Sequence, residues 1–351
     1  MKKIIKKIRK LKLWYKKVLI SKNDYKIPFF AKIKYALKGF SGNEYILYNL
    51  KENDYTMYES EFERIQSRQI INGDYKFILD DKLIFEEIFR NYIRVPKTYA
   101  WISNGNIYGM HEFDINNDNF IDFIKEKKDV VLKWENGYEG KGTYVIKYIE
   151  KSKFIINHEE KDINDLKKVF SYYGTAILSE YIEQSKFSND LYPNSTNTIR
   201  IICAKKKNEK YAKIYKAVQR IGNNYSKPVD NFCAGGFAAE IDIQTGELQE
   251  IISKNPNAKY KLKLLKEHPD TGNTIYGKKI PNWEKIKNEI TDLTNKFPYL
   301  NLIAWDVLLT KEGICIIEAN ASSSCDLLQM KHGIKNEEYG EILESYGVFK
   351  K

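Results

Sequence analysis

The stretch 302–320, LIAWDVLLTKEGICIIEAN, constrains this chain more than any other part of it. Two apolar runs of strand length flank a short polar segment, and Gly313 supplies the positive φ that a tight turn needs. The stretch therefore reads as a β-hairpin with a three-residue loop at 311–313. Pairing 310 with 314 sets Asp306 opposite Glu318, with Asn320 two residues further along the same face. A bulge would shift that register by one. Two facing carboxylates repel, and burial makes the repulsion worse. A hard divalent cation removes the penalty, and Mg2+ takes oxygen ligands that it shares with substrate phosphates. Asp306, Glu318 and Asn320 are thus candidate metal ligands. The plain alternative is the wetted face of an edge hairpin, which fits poorly with an Asp inside LIAWDVLL and a Glu directly after ICII.

A second stretch has matching chemistry. VVLKW at 130–134 reads as a strand carrying Lys133, and ENGYEGKG follows at 135–142 with Gly137, Gly140 and Gly142 before a second strand. Glycines at that density let backbone N–H groups approach phosphates, and a lysine on the leading strand neutralises them as a point charge. Most glycine-rich hairpin loops are only turns. Beside a magnesium site, however, a phosphate cradle is the expected companion.

Helical periodicity appears at 59–71, 80–92, 118–127, 162–173 and 282–296. Strand-like runs appear at 130–134, 143–149, 175–182, 198–206, 211–220, 237–243, 302–309 and 314–319. Helices interspersed with hairpins predict an α+β protein, not a doubly wound parallel sheet. Neither GxGxxG nor GxxxxGK[ST] occurs, which excludes the dinucleotide and P-loop fingerprints. Cys203, Cys233, Cys315 and Cys325 form no CxxC, and the four histidines form no HxxxH. The cysteines read as buried, inert thiols of a reducing compartment.

Taken in order, these residues resemble the ATP-grasp superfamily, in particular its sugar-transfer-associated, polysaccharide-biosynthesis branch. The resemblance runs over about 80–330. It takes in Lys133 with the glycine loop, ILSEYI at 177–182, NTIR at 197–200 and Gln219-Arg220. It continues through VDN at 229–231, Gly235-Gly236, HPDTG at 268–272 and IPNW at 280–283, and closes on Trp305-Asp306 and IEAN at 317–320. It implies two α+β subdomains clasping ATP and Mg2+. Glu180, Tyr181 and Ile182 would supply the hinge backbone that meets the adenine edge, with Glu183 or Gln184 near the ribose. Arg200 would hold the transferred phosphoryl group bidentately, with Arg220 as a second clamp. Asn197, Asp230, Asn231, Gly235 and Gly236 would lie on the substrate side. The HPDTG stretch reads as a branch fingerprint with a structural role in its loop. The implied domains are a basic segment 1–40, a mostly helical region 41–120, a first ATP-grasp subdomain 121–182 and a second 183–351.

Three functions stay open. One is a carboxylate–amine ligase that forms an amide through an acylphosphate, on a sugar of a surface polysaccharide or its precursor. Another is an ATP-grasp kinase acting on a hydroxyl. The third is a non-catalytic nucleotide-binding, membrane-associated protein, against which the retained Lys133, Arg200, Asp306, Glu318 and Asn320 count.

Charge is distributed unevenly. Residues 1–40 hold thirteen lysines and Arg9 against one acid, Asp24, a net charge of +13, so the remainder of this +11 chain carries −2. That concentration argues against a nucleic-acid face spread over the protein. Ile4, Ile5, Ile8, Leu11, Trp14, Tyr15, Val18 and Leu19 recur at helical spacing among the lysines. No apolar run is long enough to span a bilayer, and no signal-peptide pattern is present. Two readings remain for a cytoplasmic protein: an in-plane helix on the anionic inner leaflet, or an amphipathic helix packed on the domain.

Overall fold

The computed structural model describes residues 2–135, 142–150, 153–171, 174–253, 264–329 and 331–349. Within them two antiparallel sheets stand on either side of a cleft. The first sheet contains β1 (Thr98–Ser103), β2 (Asn106–Gly109), β3 (Asp129–Trp134), β4 (Tyr144–Tyr148), β5 (Phe154–Ile156), β6 (Glu159–Lys161) and β7 (Thr175–Glu180), in the order β2-β1-β7-β3-β4-β5-β6. The second contains β8 (Thr198–Ala204), β9 (Lys213–Ile221), β10 (Phe237–Ile241), β11 (Leu248–Ser253), β12 (Leu302–Thr310) and β13 (Gly313–Asn320), in the order β11-β10-β9-β8-β12-β13. All eight runs read from the sequence as strands are strands, and the five helical periodicities are helices at Glu61–Ile70, Lys82–Phe89, Phe120–Lys127, Ile163–Ser171 and Trp283–Asn295. The fold is α+β, as the interleaving of helices and hairpins predicts.

Alternation explains which side of each strand meets the cleft. On β3, Val130 and Leu132 point into a core shared with helices Phe120–Lys127 and Ile163–Ser171. Val131 and Lys133 are left on the other face, which lines the cleft. On β12, Ile303, Trp305 and Val307 enter the larger core with helices Lys82–Phe89 and Trp283–Asn295. Trp305 lies edge-on to Phe89 at 5.2 Å and donates its indole N–H to Thr294 Oγ1 at 2.9 Å. The opposite face of β12 carries Leu302 and Ala304, packed beneath helix Glu338–Ser345, and then Asp306 and Leu308 in the cleft. Both faces of β12 are covered, which is why LIAWDVLL shows no apolar–polar alternation.

The hairpin differs from its expected form in an instructive way. Thr310 pairs with Gly313, so the loop is two residues, Lys311 and Glu312, and the register near the turn is one residue off the expected one. A bulge between Asp306 and Val307 then absorbs one residue of β13 and restores Asp306 opposite Glu318. Gly313, at φ +138°, occupies a strand position that few other residues adopt.

The segment 94–97 ties the two sheets together beside the hinge. The Arg94 carbonyl accepts from Ile316 N at 2.9 Å, and the Lys97 carbonyl accepts from Glu180 N at 2.8 Å. The N-terminal segment is a helix, Lys2–Trp14, continued through Tyr15–Leu19. Its two readings divide along its length. Val18 is fully buried and Trp14 donates to the Ala36 carbonyl at 2.7 Å, whereas residues 7–12 are exposed.

Candidate functional site

The cleft between the sheets encloses about 830 Å³. Asp306 sits at its centre because three strands converge there. It lies opposite Glu318 on β13 and opposite Arg200 on β8, and Arg220 reaches it from β9. Arg200 donates from Nε to Asp306 Oδ1 and from Nη2 to Oδ2 at 2.9 Å. Arg220 donates from Nη1 to Asp306 Oδ2 at 2.8 Å and from Nη2 to Asp230 Oδ1 at 2.5 Å. Asp230 Oδ2 in turn accepts from Thr198 N at 2.6 Å and Thr198 Oγ1 at 2.7 Å. Arg200 therefore faces the carboxylate rather than open cleft, and its Nη1 adds a bond to Ser323 Oγ at 3.3 Å.

This arrangement sets the protonation of the two acids. Burial opposes ionisation of Asp306, but Arg200 and Arg220 outweigh it and hold the carboxyl at about 2. Burial and the Asp306 charge push Glu318 up, and a hydrogen bond joins the two carboxyl groups. Two buried carboxyl groups pushed in opposite directions at one point make a place where a cation would relieve their repulsion. Counting acceptor sites, Oδ2 of Asp306 is filled by two guanidinium bonds and Oδ1 takes one, so the little acceptor capacity left on this carboxylate serves either the contact with Glu318 or a cation that replaces it. The Asn320 amide nitrogen is buried without a partner, and turning the amide over puts a carbonyl oxygen there. Among the described residues no three His, Cys, Asp or Glu side chains gather into a metal cluster. Two carboxylates and one amide, all oxygen donors short of a full shell, fit a hard cation that completes its octahedron with phosphate and water.

Across the cleft, burial and the neighbouring Lys82 push the Lys133 ammonium down to about 8, partly offset by attraction to Glu318. Val131 and Val145, paired across β3 and β4, form an apolar wall beside it. Leu308 and Ile317 form the facing wall, packed with Ile182 and Cys315. At the hinge β7 ends at Glu180, and the backbone groups of Tyr181 and Ile182 enter no hydrogen bond among the described residues. The Lys147 ammonium lies 4.6 Å from the Tyr181 ring centroid. The cleft is thus a slot between aliphatic walls with unspent backbone polarity at one end and cations along its length.

A family model described as sugar-transfer associated ATP-grasp matches residues 64–339. The chain belongs to that family. Solved structures of low similarity include an ADP complex of the N5-carboxyaminoimidazole ribonucleotide synthetase PurK, with 13% identity, a TM-score of 0.41, and coverage of 76% of this chain and 53% of that one. D-alanine–D-alanine ligase from Helicobacter pylori has 12% identity, a TM-score of 0.39 and coverage of 77% and 60%. D-alanyl-alanine synthetase A from Vibrio cholerae O1 biovar eltor str. N16961 has 11% identity, a TM-score of 0.42 and coverage of 77% and 61%. The ATP-grasp chain thus spans between half and two thirds of the length of these structures. No curated protein matches it.

Of the residues singled out in the sequence, Lys133, Glu180, Tyr181, Ile182, Arg200, Arg220, Asp230, Asn231, Asp306, Glu318 and Asn320 all line this cleft. Others do not. Gln184 is buried, with its amide donating to Asn189 Oδ1, the Tyr192 carbonyl and the Ser195 carbonyl, and accepting from Asn197 N at 3.0 Å. Asn197 is fully buried, bonded to the carbonyls of Ser188, Tyr192 and Ser195 and accepting from Gly222 N at 2.9 Å. These two amides clamp the loop between β7 and β8 and leave no group for a ligand. Gly235, at φ +97°, ends the short helix Phe232–Ala234, whose first N–H groups Asn231 caps. A Cβ on Gly236 would meet the Asp230 carbonyl at 2.7 Å, so the close approach is to the chain itself. Gly142 lies against the Trp134 ring, whereas Gly137 and Gly140 fall outside the described residues. His268 is fully buried, stacked 5.0 Å from Tyr192 and bonded to the Gly222 carbonyl, which gives the HPDTG stretch its structural role. Cys203 and Cys315 are buried, with thiols that burial pushes up to about 12, but Cys233 is exposed and lines the cleft.

Sequence reasoning missed Lys82, Asp80, Arg64, Arg68 and Lys17, which also line the cleft. Asp81 caps helix Lys82–Phe89 through Leu83 N and Ile84 N, which fixes Lys82 in the first turn, where its ammonium reaches the Glu135 carbonyl at 3.1 Å. The Asp-Lys pair at a helix start is visible in sequence but common. Arg64 and Arg68, four apart on one helix face, look like ordinary solvated charges.

Proposed function

We propose that this ATP-grasp chain binds ATP with Mg2+ in the cleft and transfers the γ-phosphoryl group to a carboxylate, and that an amine then displaces phosphate to leave an amide. The observation that carries this reading is the meeting of Asp306, Glu318, Arg200 and Arg220 at one point, opposite Lys133 and Lys82. The hinge backbone of Tyr181 and Ile182 offers an N–H and a carbonyl to the adenine edge, and the aliphatic walls sandwich the ring. Lys133 and Lys82 neutralise phosphate oxygens along the slot. Asp306, Glu318 and Asn320 would hold the cation, which when bound draws charge from the phosphates.

In the first step a substrate carboxylate oxygen attacks the γ-phosphorus, the bond to the ADP oxygen breaks, and ADP leaves with that electron pair. Arg200 and Arg220, fixed by Asp306 and Asp230, keep positive charge beside the moving group without reorganising. In the second step the amine attacks the acyl carbon, phosphate leaves, and the amine gives up a proton. The chain supplies position and charge and no covalent nucleophile. The family's description points to a sugar or sugar-bearing precursor as one substrate. Buried Cys203 and Cys315 suit a reducing, ATP-containing cytoplasm.

Incubation with ATP, Mg2+ and candidate uronic acids, with and without hydroxylamine, tests the reading. Hydroxamate formation that needs ATP supports the acylphosphate. A phosphorylated alcohol with no hydroxamate makes the protein a kinase instead.

A further inference from the structure

The first forty residues carry apolar surface that no other described part of the chain covers. Trp14, through the Ala36 carbonyl, and Lys10, through Gln66 Oε1 at 2.6 Å, fix one face of the first helix against the domain. Ile4, Ile8 and Leu11 share another face by their spacing, and they are 65%, 49% and 62% exposed. The next helix, Phe29–Ala36, opens with Phe29 and Phe30, 70% and 85% exposed, and Leu37 just past its end is 73% exposed. Single exposed apolar residues are ordinary, but nine large ones within 34 residues at the edge of a packed domain are not.

Charge identifies what covers them. The same forty residues hold fourteen basic side chains and one acid, and that acid, Asp24, accepts from Asn43 Nδ2 at 2.8 Å. Exposed Lys7 and Lys12 flank the Ile4, Ile8 and Leu11 stripe, and Lys34 and Lys38 lie beside Leu37. Apolar side chains ringed by long cationic ones suit an interface between hydrocarbon and anionic headgroups, where lysine stems lie along the apolar layer and the ammonium groups stay wet. An acidic protein groove would meet the charge but has no use for phenylalanines and isoleucines spread over two helices. No helix among the described residues is long and apolar enough to cross a membrane, so contact is in the plane of the surface. Lys17, one turn past Trp14, lines the cleft, so the exposed segment and the far end of the cleft belong to one continuous piece of structure.

We propose that residues 4–38 dock this protein on an anionic lipid surface, with Ile4, Ile8, Leu11, Phe29, Phe30 and Leu37 entering the interface and the surrounding lysines engaging headgroups. Co-sedimentation of the full chain with phosphatidylcholine vesicles, with or without 30% phosphatidylglycerol (roughly the charge of an anionic leaflet), tests this. The expected result is binding that requires phosphatidylglycerol and weakens as salt is raised. Replacing Lys7, Arg9, Lys12 and Lys16 together by Gln should weaken partitioning by roughly several hundred-fold, at about 1 kcal/mol for each basic residue near the surface. Phe29→Ser with Phe30→Ser should reduce the share of binding that persists at high salt. Leu37→Ser is the second variant should the double one melt early by circular dichroism. Three results would overturn the proposal. One is equal binding with and without phosphatidylglycerol, or none. Another is folded variants that bind like the parent. The third is self-association in the ultracentrifuge that Phe30→Ser abolishes, which would make a second copy the occupant.

Discussion

Replacing Gln184 by alanine separates two roles that this residue can have: contact with a nucleotide ribose, or a clamp inside the protein. The structure favours the clamp, and the cost follows from the bonds lost. Without the Gln184 amide, the carbonyls of Tyr192 and Ser195 each keep a bond from Asn197 Nδ2. The Asn197 backbone N–H keeps nothing, because it donates to Gln184 Oε1, and Asn197 is fully buried. One orphaned buried donor costs about 1–3 kcal/mol, and the void left by the side chain raises the total to about 2–4 kcal/mol. At about 2.1 cal/mol/K per residue, unfolding entropy for a chain of 351 residues converts this to a Tm lower by roughly 3–5 °C. Differential scanning calorimetry reads the shift, and titration calorimetry at 25 °C (well below the transition) reads nucleotide affinity, which should change by less than about twofold. An unchanged Tm together with tenfold weaker nucleotide binding would refute the clamp and return Gln184 to the ribose.

Lys133→Ala should weaken nucleotide binding by about 1.5–3 kcal/mol, or roughly 10- to 150-fold, as expected for one lost charge-assisted contact; unchanged affinity by calorimetry would make Lys133 a bystander. Burial holds His268 below its ordinary value of 6.5, although bonds to Gly222 and the charge of Asp270 oppose this. Its unfolded form therefore takes up a proton first as pH falls, and stability is retained above about 6.5 and lost below it, by at most about 1.4 kcal/mol per pH unit for one proton. Urea unfolding between pH 7.5 and 5 should show that His268→Gln lacks this component, and parallel curves for the two proteins would show that His268 does not titrate.

The legible parts of this fold were those where one residue pattern carried the whole signal. Asp306 opposite Glu318 was readable because a charged residue inside a long apolar run has few places to go. The actual pairing still needs a bulge, which the run of apolar residues in β13 does not announce. Five strands went unread. β5 and β6 are three residues each, too short for alternation, and their turn is Asn157-His158, both at positive φ, where Asn-Gly would have been the recognisable pair. β1 and β2 are a different case, since their turn is Asn104-Gly105 at φ 50° and 81°, and that signal stood in the sequence unused. β11, LQEIIS, has too few apolar residues in period to be told from a loop.

The site divides in the same way. Residues whose chemistry is unusual for their surroundings, such as a strand lysine or paired acids, were found from sequence. Gln184, Asn197, Gly235 and Gly236 were placed near ligands because polar residues and glycines serve ligands and loops alike. Only their saturated hydrogen bonds and close backbone contacts separate the two uses. Lys82, Arg64, Arg68 and Lys17 were missed for the converse reason: they come from helices outside both sheets, and only the tertiary fold brings them to the cleft.

The central claim is that Asp306, Glu318 and Asn320 couple a divalent cation to a nucleotide in this cleft. Titration calorimetry of ADP into the full-length protein, with Mg2+ and with excess chelator, tests it most directly when repeated on Glu318→Gln. The account predicts tight binding for the parent only with Mg2+, and for the folded Glu318→Gln variant an affinity that no longer responds to Mg2+, because one of two charged ligands is gone. Equal Mg2+ dependence in parent and variant, or ADP binding indifferent to Mg2+ in both, would contradict it.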